Sequence, residues 1–237
     1  MNHIYSEYFN TDSKLLAILI DPEKQSKDSL QSLLSKINKS NIDLIFIGGS
    51  LSSKAYDKII EDIKSECSKP VILFPGNSLQ LSSRADALLN LSLISGRNPE
   101  FLIGEHVKSA AFVKKSKLEV IPTGYILIDG GTKTSVEYIS NTQAIPNNKI
   151  DIAIATALAG QFLGLKCIYL EAGSGAEQTV PEEMIASVCE NIDIPIICGG
   201  GIKSIEGVKN KWNAGANIVV IGTAFENNPD FLLAFPK

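Results

Sequence analysis

The chain has 237 residues, 44% of them hydrophobic, and a formal net charge of −4 with a pI near 5.3. The length is close to the roughly 250 residues of a (β/α)8 barrel, and the apolar share is enough for one sizeable core. No basic run exceeds Lys114-Lys115, which excludes a nucleic-acid surface, and no apolar run reaches the about 18 residues of a membrane span.

The start, Met1-Asn2-His3-Ile4-Tyr5, lacks the basic and apolar regions of a signal peptide, so a soluble cytoplasmic protein is expected. Cys67, Cys167, Cys189 and Cys198 show no metal-ligand spacing and read as buried thiols.

Along the chain, short apolar runs alternate with amphipathic stretches. The runs predict strands at Leu15–Ile20, Leu44–Ile47, Val71–Phe74, Ala87–Leu91, Gly124–Ile128, Cys167–Leu170, Ile194–Cys198 and Ile218–Ile221. Their continuous apolar character suits parallel strands covered on both faces. Ser29–Asn38, with Leu30, Leu33, Leu34 and Ile37, and Tyr56–Ile63, with Ile59, Ile60 and Ile63, have helical spacing. Pro181 followed by Glu182 and Glu183 reads as a helix start. Such alternation predicts a single (β/α)8 TIM-barrel domain over residues 1–237, with a doubly wound sheet as the other arrangement.

One interval departs from the pattern. Pro75–Asp86, between the third and fourth strands, is short and rich in turn residues, where a helical crossover needs about a dozen residues or more. A gap in the outer helical ring is expected there, filled by irregular structure, and open to a long apolar ligand. Gly130–Ser135, after the fifth strand, reads as a polar loop able to act as a lid.

The chemistry-bearing residues gather at strand ends. Asp21 closes the first strand and precedes Pro22. A lone carboxylate with a nearby hydroxyl suits Mg2+, which keeps waters and completes its shell with substrate phosphates. Ser50, after Gly48-Gly49, supplies that hydroxyl; a turn-forming Asp and a helix-capping Ser are the plainer readings. The sixth strand ends in Tyr169-Leu170-Glu171-Ala172-Gly173-Ser174-Gly175. Glu171 is placed to orient or deprotonate a substrate hydroxyl, and Gly173, Ser174 and Gly175 offer donors to an anion. The glycine turns Gly199-Gly200-Gly201 and Gly222-Thr223 follow the last two strands and match the phosphate site of a barrel of this kind. Arg97 is a candidate diphosphate ligand, Lys24 and Lys133 are further basic candidates, and His106 reads as a satisfied helix residue.

The runs Leu19-Ile20-Asp21-Pro22-Glu23-Lys24, Phe46-Ile47-Gly48-Gly49-Ser50, Leu73-Phe74-Pro75-Gly76-Asn77, Tyr169–Gly175 and Gly199-Gly200-Gly201-Ile202 together resemble the geranylgeranylglyceryl phosphate synthases and the related PcrB-type heptaprenylglyceryl phosphate synthases. The resemblance implies a barrel whose third outer helix is replaced by irregular structure. It implies a prenyltransferase that joins the 3-hydroxyl of sn-glycerol 1-phosphate to C1 of a polyprenyl diphosphate, geranylgeranyl diphosphate being the expected donor, with release of pyrophosphate in ether-lipid synthesis. It carries Mg2+ onto Asp21 and Ser50. It carries the glycerol-phosphate site onto Tyr169, Leu170, Glu171, Ala172, Gly173, Ser174, Gly175, Gly200, Gly201, Gly222 and Thr223, with Glu171 and Asp21 in the catalytic roles.

Two other functions fit a phosphate-binding barrel: an isomerase or lyase using Asp21 and Asp129 as an acid–base pair, and a non-catalytic sensor of phosphorylated ligands. A homo-oligomer is expected through apolar outer helices such as Ala153–Leu165. With a lipophilic product, membrane contact is expected to be transient at most.

Overall fold

Eight parallel strands close into a barrel, each hydrogen-bonded to the next and the last returning to the first. This computed structural model describes residues 3–49, 56–228 and 230–231. The strands are β1 (Leu15–Ile20), β2 (Leu44–Ile47), β3 (Val71–Leu73), β4 (Ala87–Leu93), β5 (Glu119–Leu127), β6 (Cys167–Glu171), β7 (Ile196–Gly199) and β8 (Ile218–Ile221). Helices α1 (Lys27–Ile37), α2 (Asp57–Glu66), α3 (Glu105–Ser116), α4 (Ser135–Ser140), α5 (Ile150–Phe162), α6 (Glu182–Cys189), α7 (Ile205–Asn213) and α8 (Thr223–Asn227) surround them.

All eight predicted strands form. β5 begins earlier than expected because Pro122 does not break it: Pro122 pairs in register with Asn90, and its carbonyl accepts from Lys166 N at 2.7 Å. β7 begins later, after Pro195, which has no N–H to give the ladder.

The two-residue period of each strand sorts its side chains into two layers. Ala17, Phe46, Tyr125, Tyr169, Ile197 and Val220 fill the barrel interior. Ile18, Ile45, Ile126, Leu170, Cys198 and Val219 pack outward against the helices. Fully burying each aliphatic or aromatic side chain of this kind contributes about 1.5–3 kcal/mol before ordering costs. The same parity decides which strand-end residues enter the mouth. Asp21 follows Ala17 and Leu19, Glu171 follows Cys167 and Tyr169, and Gly199 follows Ile197, so all three belong to the inward series.

The opposite end of the barrel is plugged. Residues Tyr5–Phe9 form a π-helical turn whose Phe9 is fully buried within the interior cluster. Glu119 at the start of β5 fixes it by accepting from Ile4 N at 2.7 Å and Tyr5 N at 3.0 Å. Access is therefore from the C-terminal mouth.

The outer ring has the expected gap. Between β3 and β4 only a 3-10 turn, Ser78–Gln80, stands where a helix would pack. Asn77 starts it by accepting from Leu79 N at 2.9 Å. Gln80 is fully buried and joins two loops: its Oε1 accepts from Gly76 N at 2.7 Å and its Nε2 donates to Gly49 O at 2.9 Å.

Two expectations are corrected. Cys67, Cys167 and Cys198 are buried, but Cys189 is exposed because it ends α6 away from the sheet. The helix expected at Ala153–Leu165 runs from Ile150 to Phe162 and turns Ala153 and Ala157 inward.

Candidate active site

One continuous cavity, with a volume of about 210 Å3, opens at the C-terminal mouth and runs out through the gap in the ring. Its polar end is formed by Asp21, Lys24, Glu171, Gly173–Gly175, Gly200, Gly201, Gly222 and Thr223. Its apolar end is formed by Leu81, Leu88, Leu91, Phe101 and Ile139, with Phe74 between the two. The outward-facing Leu88 and Asn90 of β4, together with Ser109 of α3, line this end. The channel thus passes over the barrel rim and down beneath α3.

Glu171 is the buried carboxylate of the cavity, 6% exposed. Its Oε1 accepts from Gly173 N at 2.7 Å. Burial pushes its carboxyl up to about 7, against the pull of the Gly173 N–H and the Tyr169 hydroxyl. The Tyr169 hydroxyl lies beside it: a Cβ on Gly199 would stand 2.6 Å from Tyr169 Oη and 2.8 Å from Glu171 Oε2. That hydroxyl is buried without an acceptor in good hydrogen-bond geometry among the described residues. Burial first, and the Glu171 charge second, raise the Tyr125 and Tyr169 hydroxyls well above the usual range. The two rings meet at 5.5 Å between centroids, and Phe74 lies 5.2 Å from Tyr169, so an aromatic floor underlies the carboxylate.

The glycine turn after β7 is held against this carboxylate. Gly200 has φ +89°, and a Cβ there would meet Glu171 Oε1 at 2.5 Å and Gly173 N at 2.6 Å. Both the backbone and the space require glycine. The turns after β6, β7 and β8 converge on the same polar end, as expected from the sequence.

Across the mouth, Asp21 caps the turn Pro22–Lys24, its Oδ1 accepting from Glu23 N at 3.1 Å. Lys24 Nζ lies 4.0 Å from Asp21 Oδ2. Gly49 packs directly on the carboxylate, where a Cβ would stand 2.8 Å from Oδ1. Ser50 lies outside the described residues. Among the described residues no three His, Cys, Asp or Glu side chains cluster to hold a metal. One carboxylate at the edge of an open cavity fits Mg2+, which draws the rest of its shell from water and phosphate oxygens; it does not fit a closed Zn2+ cage.

Several sequence candidates lie elsewhere. Leu170 and Ala172 do not line the cavity; the strand period turns them into the layer beneath the helices, and Ala172 N is spent on Gly199 O at 3.1 Å. Arg97 folds back onto the chain, donating to Gly96 O at 2.7 Å and Ile94 O at 3.2 Å. Lys133 is exposed. His106 is satisfied by Leu91 O, 2.8 Å from Nε2, and also lines the channel. Asp129 is exposed and caps its own turn, accepting from Gly131 N at 2.9 Å, so it forms no acid–base pair with Asp21. The loop after Asp129 is tied down, Gln178 N donating to Gly130 O at 3.0 Å. Sequence reasoning missed Tyr125, although its register partner is Tyr169. It also missed Gln80, which carries no local motif.

Fold and site together define a (β/α)8-barrel enzyme with its chemistry at the C-terminal mouth. The chain belongs to the PcrB family, matched over residues 11–235. A geranylgeranylglyceryl phosphate synthase from Flavobacterium johnsoniae is 52% identical over 219 residues, 92% of this chain and 90% of its own length. The crystal structure of (S)-3-O-geranylgeranylglyceryl phosphate synthase from Thermoplasma acidophilum, in complex with substrate sn-glycerol-1-phosphate, superposes with a TM-score of 0.88 at 34% identity, covering 94% of this chain and 90% of that one. A tryptophan synthase α-subunit from Pyrococcus furiosus, at 13% identity and a TM-score of 0.55 over 90% of this chain and 88% of its own, shares the fold alone.

Proposed function

We propose that this protein is a prenyltransferase of the geranylgeranylglyceryl phosphate synthase type. The 3-hydroxyl oxygen of sn-glycerol 1-phosphate attacks C1 of a polyprenyl diphosphate. A C–O ether bond forms, the C1–diphosphate bond breaks, and pyrophosphate leaves. The single observation that carries this reading is the position of Glu171. It is the buried carboxylate of the glycine-lined polar end of a cavity whose other end is apolar.

Each part of the cavity suits one part of the reaction. The turns after β6, β7 and β8 present preset donors to the phosphate, so little reorganisation accompanies binding. Glu171, with its carboxyl near 7, is matched to accept the proton of the attacking hydroxyl at neutral pH. Asp21, with Ser50, would hold Mg2+, which when bound supplies charge neutralisation to the diphosphate. Lys24 adds positive charge at the same side of the mouth. The channel under α3 takes the prenyl tail, each buried CH2 contributing about 0.8 kcal/mol before ordering costs.

No helix among the described residues is long and apolar enough to cross a membrane. On this reading the enzyme works in the cytoplasm, where its lipophilic product brings transient contact with lipid. The exposed Ile152, Phe162 and Leu163 on and just after α5 support a homo-oligomer.

The test is a donor-length series. The protein is incubated with sn-glycerol 1-phosphate, Mg2+ and prenyl diphosphates of increasing length, and both pyrophosphate release and product mass are followed. An ether lipid with stoichiometric pyrophosphate is expected. Binding of sn-glycerol 1-phosphate without turnover on any donor would favour a sensor instead.

A further inference from the structure

Lys211, near the end of α7, is a lysine withdrawn from water, only 1% exposed. Burying an ammonium is costly unless its N–H groups find acceptors. Here Nζ donates to Thr179 Oγ1 at 2.7 Å, Val180 O at 2.5 Å and Glu182 Oε1 at 2.7 Å. One side chain thereby holds two residues of the connection between β6 and α6, Thr179 and Val180, and the first residue of α6, Glu182.

That connection is the loop that begins with Gly173, Ser174 and Gly175. Glycines bring no side chain to lock a loop, so its shape is set by its anchors. Glu171 fixes its beginning through Gly173 N, and Gly130 O holds Gln178 N in its second half. Lys211 fixes its far end. This second half also supports the β7 turn: Ala176 O and Gln178 O lie 3.0 and 3.3 Å from where a Cβ on Gly201 would sit. Lys211 is thus the far anchor of a loop that carries one glycine turn of the polar end and touches the other. The other side of the mouth is fixed separately, by the Asp21 turn and by Gln80 holding Gly49.

We infer that Lys211 is a positioning residue for the anion cradle. It sets the loop after β6 against Gly200-Gly201, and so governs affinity for the phosphate of the acceptor substrate while leaving the prenyl diphosphate side untouched. The inference rests on the cradle being the sn-glycerol 1-phosphate site.

The test compares Lys211→Met, which keeps the stem and removes the donors, with Thr179→Val, which removes one acceptor. Calorimetric binding of sn-glycerol 1-phosphate is measured beside steady-state kinetics with each substrate varied. The expected result is a rise of about tenfold in Kd and KM for sn-glycerol 1-phosphate in Lys211→Met and about two- to threefold in Thr179→Val. KM for the prenyl diphosphate should stay within about twofold. A lower melting temperature with unchanged sn-glycerol 1-phosphate affinity in both variants would overturn the inference, leaving Lys211 a stabilising residue only. Equal shifts in both KM values would also overturn it. If Lys211→Met does not fold, Thr179→Val decides alone. Wild-type protein that binds sn-glycerol 1-phosphate but turns over no prenyl donor overturns the transferase reading and leaves the binding comparison decisive for Lys211. Wild-type protein that does not bind it overturns both.

Discussion

Gly200 and Glu171 are packed so closely that a single methyl group between them would stand 2.5 Å from the carboxylate. The glycine turn after β7 and the proposed base of β6 are therefore one unit. Gly200→Ala would strain a φ of +89° and push into both Glu171 and Gly173 N. The expected outcome is a loss of about 2–4 kcal/mol in stability, with sn-glycerol 1-phosphate binding falling below detection. Chemical denaturation and calorimetry on the same sample check it; a variant that binds normally would show that the turn is not part of the anion site.

Glu171 is expected to cost stability in exchange for reactivity. Its carboxyl lies near 7 in the folded chain and near 4.5 when exposed. Between those values the folded state binds the extra proton, so stability falls as pH rises from about 4.5 to 7 and stays lower above that. At about 1.4 kcal/mol per unit the difference at pH 8 is up to about 3 kcal/mol. Glu171→Gln should therefore melt higher than wild type at pH 8, and the gap should close as the pH falls to about 5. Turnover of the variant should drop by roughly 100-fold or more. In the wild type, the rate should rise with pH through about 7 as the carboxyl loses its proton. A Gln variant no more stable than wild type at pH 8 would contradict the buried placement.

Asp21→Asn separates charge from structure. The variant retains the Oδ1 that accepts from Glu23 N at 3.1 Å, so the turn into Pro22 survives and the melting temperature should move by no more than about 2 °C. Mg2+-dependent turnover should fall by roughly 100-fold or more. Unchanged activity across a Mg2+ titration would remove Asp21 from the metal site.

How far these residues could be read from the chain depends on whether their signal was local. Glu171 and Asp21 were visible because each ends an apolar run, and a two-residue period turns both inward. The missing helix after β3 was visible because Pro75–Asp86 is at the lower limit for a helical crossover and is rich in turn residues. The aromatic floor was not visible, since Tyr125 and Tyr169 meet only through the β5–β6 register and Phe74, just after β3, joins them only across the barrel interior. Gln80 and Lys211 were hidden for a related reason: Gln80 reaches Gly49 in another loop and Lys211 reaches Thr179, Val180 and Glu182 from another helix, so no spacing marks them. Arg97 misled because a guanidinium after a strand suggests an anion, whereas its own neighbouring carbonyls satisfy it. The Tyr5–Phe9 plug left a trace, an aromatic cluster before β1, without a period to give it a place.

The channel under α3 supplies the final prediction. Ser109 is the one buried residue of α3, its hydroxyl satisfied by Glu105 O at 2.8 Å, and it lines the cavity together with Leu81 and Leu88. Ser109→Phe would fill the channel without touching Glu171, Asp21 or the glycine turns. If the tail lies there, short donors that end before Ser109 should react as in the wild type. Longer donors should lose contact with the wall beyond it. Excluding three methylenes at about 0.8 kcal/mol each amounts to roughly 50-fold in KM. The measurement is KM against donor length for both proteins, with KM for sn-glycerol 1-phosphate as the control. A uniform loss across all donor lengths would mean the phenylalanine distorts the mouth, and no loss at any length would place the tail outside this channel.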